Sequence, residues 1–317
     1  MPLESQYSFR IILTSRKIWI GYFLIKIFYM FFALFVYSKF TSLGDTNTWL
    51  SRYTDFASVF DILTVSSQMT YFLGYVSSFI FGKVFGNIPF VVLSFYGLYY
   101  SISRMELSNK QLLWLLFLLS LPSFGVWSSI AGKEAIGVFY MGIILGYIID
   151  LSNKKRYSIR FIEVIAIYLM FVYKPQYLPA VLSVVGYIHM VHRFNFRHVG
   201  HFLLLMLNLV VGFMCIWLAR DFIADVAVTI PSNFVNTDIT DINSTRNNLI
   251  WAERYDIFFT APYGVFLAFF GPTLSEVYVK PVLGVVFIES LVIFFLFFYT
   301  VVYGIIKVIK IKKINFY

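Results

Sequence analysis

Apolar positions along the chain fall into long unbroken blocks rather than an alternation. Such runs cover 18–38, 69–85, 88–103, 111–126, 134–150, 161–173, 177–191, 199–220, 257–270 and 281–306, with polar stretches between them. Blocks of this kind predict helices buried in hydrocarbon, whose core takes about 20 residues to cross. A lipid-embedded barrel needs alternating positions instead. The pattern predicts an all-α fold, a polytopic transmembrane bundle forming one integral membrane domain over 1–317.

Two blocks are ambiguous. Gly74, Ser77, Ser78 and Gly82 interrupt 69–85, and 257–270 is short and ends at Gly271-Pro272. Charge sidedness arbitrates, because loops on the cytoplasmic side are enriched in Lys and Arg. If both blocks stay in the outer leaflet as juxtamembrane or re-entrant helices, 15 cations lie inside and 9 outside, with Lys26 uncounted in the membrane. If both cross, the split narrows to 13 against 11 and the basic stretch 153–160 moves outside. The first arrangement predicts eight spans with both termini cytoplasmic, ten spans being the alternative. It turns the loops at about 39–87 and 221–280 toward one outer compartment.

Composition agrees. Of 317 residues, 60% are hydrophobic and only 13% charged, with 37 Phe and 23 Tyr, which no soluble domain of this size carries. The net charge of +9 sits in short loops between spans, so it does not indicate a nucleic-acid partner. The first 17 residues lack the layout of a cleaved signal, so the first block reads as a retained span. One cysteine, Cys215, rules out an intrachain disulfide and reads as a small buried hydrophobe.

The stretch 121–134, LPSFGVWSSIAGKE, concentrates polar residues at a membrane boundary, where they are costly and tend to be functional. Lys133 can hold a phosphate as a point charge, and Glu134 sits at a helix start that favours an anion; the plain alternative is a snorkelled Lys beside a helix-capping acid. Asp45, in the first outer loop with Arg52 close behind, can act as a general base for a sugar hydroxyl or hold a divalent ion; otherwise it is a turn residue. Lys174 lies at a tight break. Arg246, Arg254 and Glu253 lie near Trp251 and Tyr255 in the long loop, and Glu276 precedes the last span. Lys26 and Glu289 lie inside spans; Lys26 reads as snorkelling, with an internal ion pair as the alternative and Glu289 as a conceivable partner. His189, His192, His198 and His201 cluster at one hairpin and read as interfacial imidazoles rather than metal ligands. No nucleotide, zinc-protease or paired-cysteine motif is present, so no cofactor is predicted beyond an optional divalent cation.

Three segments, taken together, carry a resemblance. GDTNTW resembles the Gly-Asp signature of GT-C-type glycosyltransferases that use polyprenyl-linked sugars. LPSFGVWSSIAGKEA resembles the PS-x-x-FWSS-x-x-x-K-[DE] segment of integral membrane proteins from bacterial polysaccharide clusters. PYGVFLAFFGPTLSEV…FIES is similar to the late P-x-x-x-F-x-x-FRPF-x-x-E…EN segment of the same proteins, many of them O-antigen or capsule repeat-unit polymerases. Here Gly271 stands where that segment has Arg, and Glu289-Ser290 where it has Glu-Asn. The resemblance implies a polymerase of undecaprenyl-diphosphate-linked oligosaccharides at the periplasmic face of the inner membrane. Its catalytic acids would be Asp45 and Glu134. Trp127, Ser128, Lys133 and Glu276 map to motif positions and would bind substrate or phosphate; from the residues themselves rather than the resemblance, Arg52, Lys174, Arg246 and Arg254 would join them, the plain alternatives being interfacial decoration for Lys174 and a solvated loop with local salt bridges for Arg246 and Arg254. A flippase and a chain-length regulator would be partners. A transferase adding one sugar from a polyprenyl-phosphate donor is the nearest alternative. A lipid-linked sugar flippase is a second, less consistent with polar residues gathered on one face.

Overall fold

The computed structural model describes residues 3–40, 43, 46–51, 58–194, 198–235, 253–279, 281 and 283–314. Every regular element among them is helical. Contacts divide the chain into two units, Met1–Val211 and Gly212–Tyr317.

The first unit holds α1 (Leu3–Phe35), the short α2 (Thr46–Trp49) and α3 (Val59–Thr64), then α4 (Ser66–Phe85), α5 (Ile88–Ile102), α6 (Asn109–Leu118), α7 (Pro122–Trp127), α8 (Lys133–Ser152), α9 (Phe161–Tyr173) and α10 (Leu178–Phe194). Helix α11 (His198–Leu218) runs across the boundary, and the second unit adds α12 (Arg220–Val235), α13 (Asp256–Phe270), α14 (Leu274–Val279) and α15 (Leu283–Ile314).

Among the described residues three stretches are long and apolar enough to cross a membrane: Ser15–Lys39, Lys133–Ser152 and Leu283–Lys307. Three bent pairs raise the number to as many as six if each is one span. The bends are 102° between α4 and α5, 118° between α9 and Pro175–Phe194, and 60° between Phe202–Leu218 and Arg220–Ala227. Leu24, Phe28, Phe79, Phe117 and Phe213 all point outward, as lipid-facing positions do.

Helix α8 is the axis of the first unit, with 61% of its span buried. It packs along α5 without intervening side chains. A Cβ on Gly97 would lie 2.6 Å from Phe139 Cα, and one on Gly146 would lie 2.5 Å from the Tyr100 ring. A Cβ on Gly142 would strike the Gly97 backbone. Small residues on facing helices allow this approach, which in a membrane supplies packing that the hydrophobic effect cannot. The pairings 97 with 142 and 100 with 146 make the two helices parallel. Helix α9 then returns antiparallel, and Ala166, Met170 and Tyr173 join Ile136, Tyr140 and Ile143 in one core cluster.

One block differs from its expectation. The run 111–126 is not one helix: α6 stops at Leu118 and α7 restarts at Pro122, whose ring suits a first helical turn but cannot continue α6. At about 1.5 Å per residue neither piece alone crosses the hydrocarbon. Carbonyls freed at the break are satisfied from α1, by Tyr29 Oη on Ser120 O at 2.7 Å and Tyr22 Oη on Leu119 O at 3.4 Å. In α4, Gly82 has φ 76°, a left-handed value that bends the helix and suits glycine. Cys215, expected to be buried, is exposed on α11, whose apolar positions face outward on most sides.

Candidate functional site

The central stretch folds as helix α7 followed by a turn at 128–132 that is buried throughout. Three side chains from distant parts of the chain brace it. Lys26 Nζ donates to Ser128 O at 2.9 Å and to Ser128 Oγ at 2.8 Å. Ser94 Oγ donates to the same carbonyl at 2.6 Å. Asn87 Oδ1 accepts from Ala131 N at 2.8 Å, while its amide donates back to Val84 O at 3.0 Å. Ser129 Oγ is buried without a hydrogen-bond partner.

Lys26 does not snorkel. It is 1% exposed, and both of its described hydrogen bonds end on neutral oxygens of one residue. A bond from a charged donor contributes about 1.5–3 kcal/mol, set against a burial penalty of several kcal/mol for an ammonium. Ser128 is likewise an internal fastening point, 2% exposed, rather than an open ligand. Trp127 is half-buried against Ala33, Leu43, Val126 and Ile130.

Out of this turn the chain emerges directly into α8. Lys133 Nζ bonds Ser67 Oγ on α4 at 2.9 Å and lies 5.5 Å from the centroid of the Trp49 ring. Trp49 packs edge-on against Tyr71 at 4.3 Å. Glu134 is exposed, and its carboxylate folds back over Gly132, 2.7 Å from where a Cβ there would stand. That position places an anion at a helix N-terminus, where the dipole favours it. Lys174, exposed after the last turn of α9, shares this end of the unit because α8 and α9 are antiparallel. Its neighbour Tyr173 is anchored to Thr70 on α4 at 2.9 Å. Asp45, Arg52 and Arg246 lie outside the described residues, as does Trp251. On either side of Asp45, Leu43 and Thr46 are buried, with Leu43 in the cluster of Val126 and Ile130.

The opposite end of the same helices carries a network not foreseen from sequence. Arg104 Nε meets Asp150 Oδ2 at 2.9 Å, and Arg156 bridges Asp150 to Glu163. Glu163 is 1% exposed and also accepts from Tyr100 Oη at 2.7 Å and Arg160 N at 2.6 Å. The bonded Glu163 carboxylate pushes the Arg156 pKa up, so the guanidinium stays charged. Two cations and two anions thus fasten the ends of α5, α8 and α9. The pairs are 46 and 7 residues apart in sequence for Arg104–Asp150 and Arg156–Glu163, and no local spacing signals the longer one.

In the second unit, Arg254 is closed off by a two-pronged bond to Asp225, at 2.8 and 3.1 Å. Tyr255 Oη donates to Asp221 at 2.7 Å, and that bond raises the Tyr255 pKa. Glu276 accepts from Thr273 N at 2.6 Å and Thr273 Oγ1 at 2.9 Å, capping α14. His189 and His192 meet Tyr157 edge-on, and the side chains of His198 and His201 lie outside the described set. Among the described residues no group of His, Cys, Asp and Glu is arranged to hold a metal.

No family model, curated protein or solved structure matches the chain.

Proposed function

We propose that the chain is a multi-pass enzyme of the bacterial inner membrane that joins undecaprenyl-diphosphate-linked oligosaccharide repeats into O-antigen or capsular polysaccharide at the periplasmic face. The observation that carries this reading is the presentation of Lys133 and Glu134 on the first turn of α8, directly after a cross-braced buried turn. The described polar and ring partners of Lys133, a hydroxyl and an indole face, are both uncharged, which leaves its ammonium able to take a phosphate.

In this scheme the acceptor hydroxyl attacks the anomeric carbon of the donor sugar and gives its proton to Asp45. The bond from that carbon to the diphosphate oxygen breaks, and undecaprenyl diphosphate leaves with the electron pair. Lys133, joined by Lys174 from the same end of the unit, stabilises the charge that builds on the leaving group. Glu134 orients the acceptor. A divalent cation is an alternative neutraliser of the diphosphate. A flippase would supply the substrate and a chain-length regulator would act on the product.

The matching topology has eight spans, with α6 and α7 together as one broken crossing and both termini cytoplasmic. Supporting it, a 102° bend turns α4 toward the membrane plane if α5 crosses near the normal. The Arg104–Arg156 network then lies at the cytoplasmic ends, as the sidedness of basic residues favours.

The test is the lipopolysaccharide ladder of cells carrying Lys133→Ala or Asp45→Ala at wild-type protein level. We expect single repeat units. Wild-type ladders in both variants would end the assignment, and a full ladder lacking one branch sugar would assign the single-sugar transferase instead.

A further inference from the structure

The second unit contains a groove lined by residues from α11, α12 and the start of α13. At the corner where Phe202–Leu218 meets Arg220–Ala227 at 60°, Phe213 and Trp217, one turn apart before the bend, and Arg220 just after it line one side. Tyr255, Phe258 and Phe259 from the start of α13 close the other side. The space between them is about 530 Å³. It is lined by apolar and aromatic surface along its length, with Arg220 and Tyr255 as its polar lining residues.

The local charges decide which of those groups is available. Arg254 is spent on Asp225, and Asp221 is engaged by Tyr255. Arg220 stacks on the Trp217 ring at 4.4 Å and approaches Asp221 only to 3.9 Å, beyond hydrogen-bonding distance. The Arg220 side chain is 41% exposed, so its forked donors stay accessible to a planar or tetrahedral oxyanion beside this long ion pair. An oily slot with one available arginine matches a molecule with a hydrocarbon chain and a terminal phosphate. The volume lies in the range of a site for one compact ligand, room for a single chain rather than the pair of a diacyl lipid. Aromatic walls suit the flat, unsaturated units of a prenyl chain.

We propose that this groove binds the phosphate-proximal part of a polyprenyl phosphate, with the phosphate on Arg220 and the first isoprene units between Trp217 and Phe258. The choice of a prenyl chain rests on the proposed function; the phosphate and the single chain rest on the groove itself.

The experiment uses the full chain in nanodiscs and a C20 prenyl phosphate bearing a diazirine. Illumination should place label on residues 213–220 or 255–259, and excess unlabelled geranylgeranyl phosphate should remove it, whereas geranylgeraniol should not. Arg220→Gln should cut labelling about ten-fold, the effect of losing a charge-assisted phosphate contact, and Arg220→Lys should restore much of it. Asp221→Asn, which removes the nearest competing carboxylate, should raise labelling. Equal competition by dioleoyl phosphatidylglycerol would identify an ordinary boundary-lipid site and overturn the proposal. So would label elsewhere, or label indifferent to Arg220→Gln in a protein that keeps its wild-type helical content. The readout needs no polymer: loss of ladder-forming activity in Lys133→Ala with no groove labelling would retain the polymerase and reject the groove, and the converse would do the opposite.

Discussion

Lys26 and Ser128 should be energetically coupled through one hydrogen bond of 2.8 Å. Lys26→Met keeps most of the side-chain volume but leaves Ser128 Oγ buried and unpaired, which costs about 1–3 kcal/mol. It also removes a buried ammonium, whose desolvation penalty is several kcal/mol of the opposite sign. The two effects offset, so this variant should stay within about 2 kcal/mol of wild type. The Ser128 carbonyl remains bonded to Ser94 throughout. Ser128→Ala is different: the charge stays buried and loses one of two oxygen partners, at about 1.5–3 kcal/mol. In the double variant neither the stranded hydroxyl nor the stranded ammonium exists. It should therefore be more stable than the sum of the single changes by about 1–3 kcal/mol. Reversible unfolding by SDS in mixed micelles, following helical ellipticity, measures all four corners of the cycle. Additivity within about 0.5 kcal/mol would mean that the Lys26–Ser128 bond does not exist in the folded protein.

Gly142→Leu should lower the SDS midpoint, by about 1–3 kcal/mol of overpacking, because its side chain meets the Gly97 backbone; Gly186→Leu, with open space around it, should change little. Glu163→Ala removes one of the two carboxylates that hold the partly buried Arg156, leaving Asp150 at 3.4 Å, and should cost about 1.5–3 kcal/mol in the same assay. Glu106 is exposed, and its hydrogen bond from Lys155 holds its pKa below the usual carboxylate range. A depressed folded pKa makes the contribution full above the unfolded pKa and lost as pH falls through the folded one. Stability profiles between about pH 3 and pH 6 should thus decline more gently at the acid end in Glu106→Gln, and superimposable profiles would contradict the pairing.

Blocks of apolar residues were sufficient to foresee an all-helical fold with helices apolar enough to cross a membrane, and 134–150 anticipated α8 at Lys133–Ser152 within two residues. Lys133 and Glu134 emerge as expected from the polar turn. The fastening beneath them was not legible. Lys26 finds its partner 102 residues away, and Asn87 reaches Ala131 across 44. Such pairings are tertiary, and nothing in the local pattern marks them. The polarity of 128–132 accordingly read as a site wall, whereas the Ser128 hydroxyl and carbonyl and the Ala131 amide are turned inward to meet those braces. The glycines of α5 and α8 were likewise silent, because close backbone approach depends on which helices face each other. The sequence placed Arg254 and Glu276 beside other polar groups but could not name their partners, Asp225 for the first and Thr273 for the second.

The distance along the chain between Lys26 and Ser128 also constrains biogenesis. Ribosomes add about 5–20 residues per second, so roughly 5–20 seconds separate the synthesis of the amine from that of its acceptor. During that interval α1 must present a cation to lipid or to the insertion machinery with no oxygen of residue 128 to receive it. If α1 spans, the nascent helix therefore has reason to ride high, its lysine at the headgroups, and to sink only once α7 arrives: the first helix settles after six later ones have begun.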